Sequence, residues 1–168
     1  MRNKLMATVL TASLIVIFAS AIFNAYMLWH AKDRDSAISV GLGETSEIVE
    51  FHNLEMHPGD SLEFDIELTH EVEGECKLSL DFIDSAPATV TNNLKNYIKV
   101  ILIFNGSKVY EDDVTNAIDK DLAPIMCELD DKVPVKMTVI FMMPIEVGNE
   151  AENAEAFIDL SITASNED

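Results

Sequence analysis

Leu62-Glu63-Phe64-Asp65-Ile66-Glu67-Leu68-Thr69 exchanges an apolar for a polar residue at every step. A strand turns successive side chains to opposite faces, so this stretch has one face for a core and one for water. A helix would spread the same four hydrophobes around its circumference. The pattern recurs downstream. Cys76, Leu78, Leu80 and Phe82 alternate with Lys77, Ser79 and Asp81, and Ile98, Val100, Leu102 and Phe104 repeat the period. Val133, Val135, Met137, Val139 and Phe141 follow, then Ile158, Leu160, Ile162 and Ala164. Ile48 to Phe51 reads as an early strand, and Ile38 to Val40 as a weaker one.

Turn chemistry separates these runs. Asn105-Gly106, between Phe104 and the return segment Ser107 to Tyr110, is the dipeptide of a type I′ hairpin, whose two central residues both need positive φ. Pro58-Gly59-Asp60, Glu73-Gly74 and Gly148-Asn149 punctuate the rest. Thr91 to Asn96 and Asp112 to Ile118 are the short helical turns predicted. Many short strands between turns predict an all-β chain, an antiparallel β-sandwich of jelly-roll type. Alternation, rather than continuous apolar runs, argues against a parallel sheet covered on both faces. The inward face should hold Leu62, Phe64, Ile66, Leu78, Leu80, Phe82, Val100, Leu102, Phe104, Val139, Phe141, Leu160 and Ile162 between two sheets.

Ahead of this pattern, Leu5 to Trp29 carries no charge, while Arg2 and Lys4 stand before it without an acid. A bilayer core needs about 20 apolar residues of helix, so the run predicts one hydrophobic helix, and the preceding positive charges keep its amino terminus in the cytoplasm. Two readings stay open. An uncleaved anchor suits Tyr26 and Trp29 as interfacial aromatics, whereas Ala19-Ser20-Ala21 fits the small-residue rule for signal cleavage. Either way the remainder is exported, as a single-pass membrane protein facing outward or as a protein released to the surface or matrix. The chain therefore divides into a signal anchor or signal peptide over residues 1–31, a juxtamembrane stalk over 32–46 and an extracellular domain over 47–168.

Composition bounds the partners. The chain holds 11 Lys and Arg against 30 Asp and Glu, and two of those bases belong to the leader. Nucleic acid and anionic headgroups are poor partners for so acidic an exported surface. Asp112-Asp113, Asp119 with Asp121, and Asp130-Asp131 lack the alternating ligands and central Gly of an EF-hand loop. Cys76 and Cys127, in an oxidising compartment, are allowed a disulfide, with a buried free thiol at Cys76 the alternative. His52 and His57 are spaced wrongly for the His-Glu-x-x-His helix; the metal options the sequence leaves open are a zinc site from them with Glu50 or Glu55 and a weak calcium site on the acidic surface. Nucleophile elbow, phosphate loop and dinucleotide fingerprint are all missing. No catalytic residue, metal ligand or cofactor is assigned.

Four stretches in order resemble the TasA/camelysin family. Asn53-Leu54-Glu55-Met56-His57-Pro58-Gly59-Asp60-Ser61-Leu62-Glu63-Phe64 is similar to its Asn-Leu-x-Pro-Gly-Asp turn. Met143-Pro144-Ile145-Glu146-Val147-Gly148-Asn149-Glu150 resembles its penultimate turn, followed as there by a long strand ending in Thr163-Ala164. Tyr97 to Phe104, Asn105-Gly106 and Lys108-Val109-Tyr110 look like its central hairpin, and Asp33-Arg34-Asp35-Ser36-Ala37 with Ile38-Ser39-Val40-Gly41 like its juxtamembrane segment. The Gly-rich signal region of the family is not matched at Trp29-His30-Ala31. The resemblance implies a jelly roll exported from a Gram-positive-type cell, acting without catalysis as a matrix or surface protein that builds fibres by strand complementation with itself or meets other surface proteins. The alternatives are a camelysin-like surface metallopeptidase and an anchored extracellular binding module.

Overall fold

The alternating stretches form strands with the facing their periodicity dictates. The computed structural model describes residues 37–166 apart from 44–45, 71–73, 119 and 130. The expected leader helix, with Ala19 and Ala21, lies outside the described residues. Among those described, no helix is long and apolar enough to cross a membrane. The strands are β1 (Ile38–Leu42), β2 (Glu47–His52), β3 (Ser61–His70), β4 (Gly74–Asp84), β5 (Lys99–Phe104), β6 (Ser107–Asp113), β7 (Ile125–Leu129), β8 (Val135–Met142) and β9 (Phe157–Asn166), with one short helix, α1 (Val114–Ile118).

They assemble into two sheets, ordered β1-β3-β8-β5-β6 and β2-β9-β4-β7. The fold is an all-β sandwich. Ile66 and Leu68 of β3, Val139 and Phe141 of β8, and Val100 and Leu102 of β5 belong to one buried cluster with Leu78, Leu80 and Phe82 of β4 and Leu160 and Ile162 of β9. Phe51 of β2 bridges the sheets, its ring centroid 5.0 Å from Phe64 and 5.2 Å from Phe141. The latter pair meets edge-on, the arrangement aromatic quadrupoles favour. Asn105 and Gly106 have φ of 48° and 78°, and Phe104 pairs with Ser107, so the predicted tight hairpin forms. The helical turns fall at Leu94–Asn96 and α1, within the predicted stretches.

Four expectations need correction. The segment assigned to the stalk contains β1, with Val40 and Leu42 buried, so the sandwich takes in Ile38 and not only residues from 47 onward. β1 lies parallel to β3, whereas the other paired strands run antiparallel. Leu62 and Phe64 are only partly buried, because they occupy the end of β3 nearest the 57–60 turn. Val133 precedes β8 and is 64% exposed, held out of the ladder beside Pro134, which has no N–H to donate. In addition, β7 has no counterpart among the predicted strands.

Candidate functional site

Two of the turn motifs singled out in the sequence, the 57–60 turn and the Met143–Glu150 segment, join at one end of the sandwich. Pro58 and Gly59 occupy the centre of a turn in which Asp60 N–H donates to His57 O at 2.8 Å and Gly59 takes φ of 90°. Proline sets the first central residue, and a positive φ at the second favours glycine, the signature of a type II turn. The Asp60 carboxylate accepts the His57 backbone N–H at 2.8 Å and lies 3.3 Å from His57 Nδ1. The β3–β8 ladder continues into this turn: Gly59 N–H donates to Met143 O at 2.9 Å, and Met143 N–H to Asp60 O at 3.0 Å.

The Met143–Glu150 motif leaves from that junction. Val147 N–H returns to Pro144 O, and Gly148 opens the 3-10 turn Asn149–Ala151. Gly148 has φ of −91°, so the backbone itself does not demand glycine. A side chain there would meet the Glu150 carboxylate, 2.7 Å from its Cβ. The turn is fastened by Asn92, whose Nδ2 donates to Glu150 O at 3.0 Å and Glu152 O at 3.3 Å. Leu94 N–H donates to Glu155 O, and Glu155 N–H to Asn92 O. The adjoining Asn93 is buried; its Oδ1 caps Lys95 N–H at 3.0 Å and its Nδ2 reaches Asp84 Oδ1 at 3.3 Å. Burial works to raise the Asp84 carboxyl, but Lys95, which ion-pairs with it, together with the Ala86 N–H and Asn93, holds it below its ordinary value. This network is structural: it ties the 85–98 connection to the last turn before β9.

The histidines do not converge. His52 Nε2 lies 2.8 Å from Asp159 Oδ1 and 3.1 Å from Ser85 Oγ, while Nδ1 lies 3.8 Å from the exposed Glu50 carboxylate. A serine relay needs hydroxyl and acid on opposite ring nitrogens. Here both compete for one, so Asp159 does not orient the ring toward Ser85. His57 engages Asp60, and Glu55 is exposed. Among the described residues no three His, Cys, Asp or Glu side chains are grouped to hold a metal ion.

The structure brings Cys76 and Cys127 together. They are opposed in the β4–β7 ladder with Sγ atoms 3.6 Å apart. Both thiols are free, Cys76 buried and Cys127 partly exposed. Burial, reinforced by the Cys76 sulfur, pushes the Cys127 thiol up to about 12. Between the edge strands β6 and β7, a cavity of about 170 Å³ is lined by Leu80, Leu102, Tyr110, Leu122 and Ile125, with Lys120 and Asp121 also on its wall. Tyr110 Oη has no hydrogen-bond partner among the described residues. Burial, and the negative charge of Asp112, raise its phenol above the ordinary value.

What remains as a site is edge. The sheets end in β1 and β6, and in β2 and β7. Three of these edges carry exposed hydrophobes: Ile48 on β2, Val109 on β6 and Met126 on β7. Sequence reasoning missed β7 because Met126 breaks the outward polarity of an otherwise regular Ile125-Cys127-Leu129 alternation. It also missed the Asp84–Asn93–Lys95 network, whose members are remote from one another in pattern.

No protein-family model matches this sequence, and no curated protein does. Solved structures do align. A mutant of PliG-Ec, a periplasmic inhibitor of g-type lysozyme from Escherichia coli, is 11% identical, covering 77% of this chain and all of that one, with a TM-score of 0.35. Aeromonas hydrophila PliG is 8% identical over 77% of this chain and 98% of its own, at 0.36. The pre-peptidase C-terminal domain of a Bacillus anthracis collagenase is 8% identical over 77% and 95%, at 0.33. Likenesses this slight transfer neither activity nor partner.

Proposed function

We propose that the chain is an exported, non-enzymatic cell-surface or extracellular-matrix protein of the TasA/camelysin type, whose jelly-roll domain joins further copies of itself through a sheet edge. The observation that carries this reading is the status of β1. Strands β2 to β9 alone make two four-stranded sheets, β3-β8-β5-β6 and β2-β9-β4-β7, an order that supports the jelly-roll reading. β1 is an addition to that order, laid parallel along β3 and placing Val40 and Leu42 in the core. A strand held by one row of edge hydrogen bonds and a few inward side chains is one that a second copy can supply. Export is supported by the uncharged run Leu5 to Trp29 behind Arg2 and Lys4, which holds the protein in the membrane if uncut and releases it if cut.

Amino-terminal sequencing of the exported protein, followed by electron microscopy of that form, tests the proposal. A processed start with filaments is the expected result, and Val40→Asp with Leu42→Asp should abolish the filaments by denying β1 its seat in a neighbour. A processed protein that stays a monodisperse monomer at high concentration would overturn the assembly reading. An intact chain recovered in the membrane fraction would restrict the protein to an anchored surface module.

A further inference from the structure

The register of β4 and β7 sets two sulfurs face to face. Cys76 opposes Cys127 directly, flanked by the pairs Glu75 with Glu128 and Lys77 with Met126. Opposed residues of an antiparallel ladder have Cα atoms about 4.5–5.5 Å apart, inside the roughly 4.4–6.8 Å that a disulfide spans. The Sγ atoms stand 3.6 Å apart, so a bond of about 2.0 Å needs side-chain rotation and a small closing of the strands, not a rearrangement. β7 is short, pairs on one side only and walls the cavity through Ile125. A covalent tie at its centre would therefore fix both the edge and the cavity wall.

We propose that Cys76 and Cys127 are joined in the exported protein as a cross-strand disulfide that clasps the edge strand β7 to β4. The inference rests on the export reading for its oxidising surroundings and on the structure for its geometry. The oxidant is a low-molecular-weight or protein disulfide, R–S–S–R. Cys127, the more exposed thiol, loses its proton and attacks one sulfur, forming a mixed disulfide and expelling R–S⁻. The Cys76 sulfur, losing its own proton, then attacks Cys127 Sγ and expels the second R–S⁻. Two electrons pass to the oxidant, and the two cysteine protons end on two R–SH. Because burial holds Cys127 as the thiol, closure is slow at neutral pH and quickens as pH rises.

The purified full chain, reduced and then treated with oxidised glutathione, tests the geometry. The expected product has lost two hydrogens, resists alkylation until reduced, and yields a peptide linking Cys76 to Cys127. Closing a loop over a separation of 51 residues should raise the melting temperature by about 10 °C over the reduced form. Cys76→Ser should trap Cys127 as a glutathione adduct, whereas Cys127→Ser should leave buried Cys76 unmodified. Two free thiols after oxidation, or a covalent dimer in place of the internal bond, would overturn the proposal. In cells, thiols are blocked at lysis and surface exposure is read by external protease. Two alkylated cysteines on protease-accessible protein would overturn the clasp with export intact. Protein that the protease never reaches refutes the export reading, and with it the oxidised state proposed for the cell.

Discussion

Strands β9 and β7 flank the same partner, β4, and could hardly be less alike. β9 is paired along both of its sides, to β2 and β4, and Ile158, Leu160 and Ile162 are completely buried. β7 is paired on one side only and buries Leu129 alone, while Ile125 and Cys127 are partly exposed and Met126 stands 51% exposed. A central strand is fixed twice, by two ladders and by the core beneath it; an edge strand has one ladder and whatever lies at its margin. At β7 that margin is a cavity and a pair of thiols. The sandwich is thus held more firmly at β9 than at β7.

The largest test of this asymmetry places one charge inside the sandwich, on β4 opposite β9, and one on the outer face of β7. Leu80→Asp puts a carboxylate into the core opposite Ile162 of β9 and should cost more than about 4 kcal/mol, enough to remove the cooperative transition in urea followed by circular dichroism. Met126→Asp, on the outward face of β7, should stay within about 0.5 kcal/mol. A Leu80→Asp protein that melts like the wild type would reverse the assignment of the inward face.

A finer comparison truncates equivalent side chains. Ile162→Ala on β9 should cost about 2–5 kcal/mol, the usual penalty for emptying a closed core. Ile125→Ala on β7 should cost about 1 kcal/mol, since that side chain already borders empty space and is partly solvated. Equal losses in denaturant midpoints would show β7 to be as tightly held as β9.

The smallest effects are in pH. Asp84 lies at the end of β4 that only β9 reaches, with its folded pKa below the ordinary carboxylate value. Its contribution is present above about pH 4 and lost as pH falls through the lower folded value, so Asp84→Asn should flatten that acid limb by about 1 kcal/mol or less. Cys127, at the β7 end, has the opposite sign. Its raised pKa gives the reduced protein stability that is full below the ordinary value of 9.0 and lost as pH climbs toward about 12. Thermal melts of the reduced protein should fall across that alkaline window, and those of Cys127→Ser should lack this component.

Much of this architecture was written locally. Period-two alternation placed β3, β4, β5, β8 and β9, because a buried face leaves its mark on every second residue. Asn105-Gly106 and Pro58-Gly59-Asp60 declared their turns, since positive φ and a preset proline restrict the residue types allowed. The acidic composition and the uncharged run Leu5 to Trp29 were equally plain. Tertiary structure alone decided the rest. Strand order, the parallel seat of β1, the seating of the Met143–Glu150 motif beside the 57–60 turn and the opposition of Cys76 to Cys127 all join residues far apart in the chain. A strand's pattern states that it has an inner face, but not which strand lies beside it. Register is chosen by the common packing of both sheets, and no single segment contains that information.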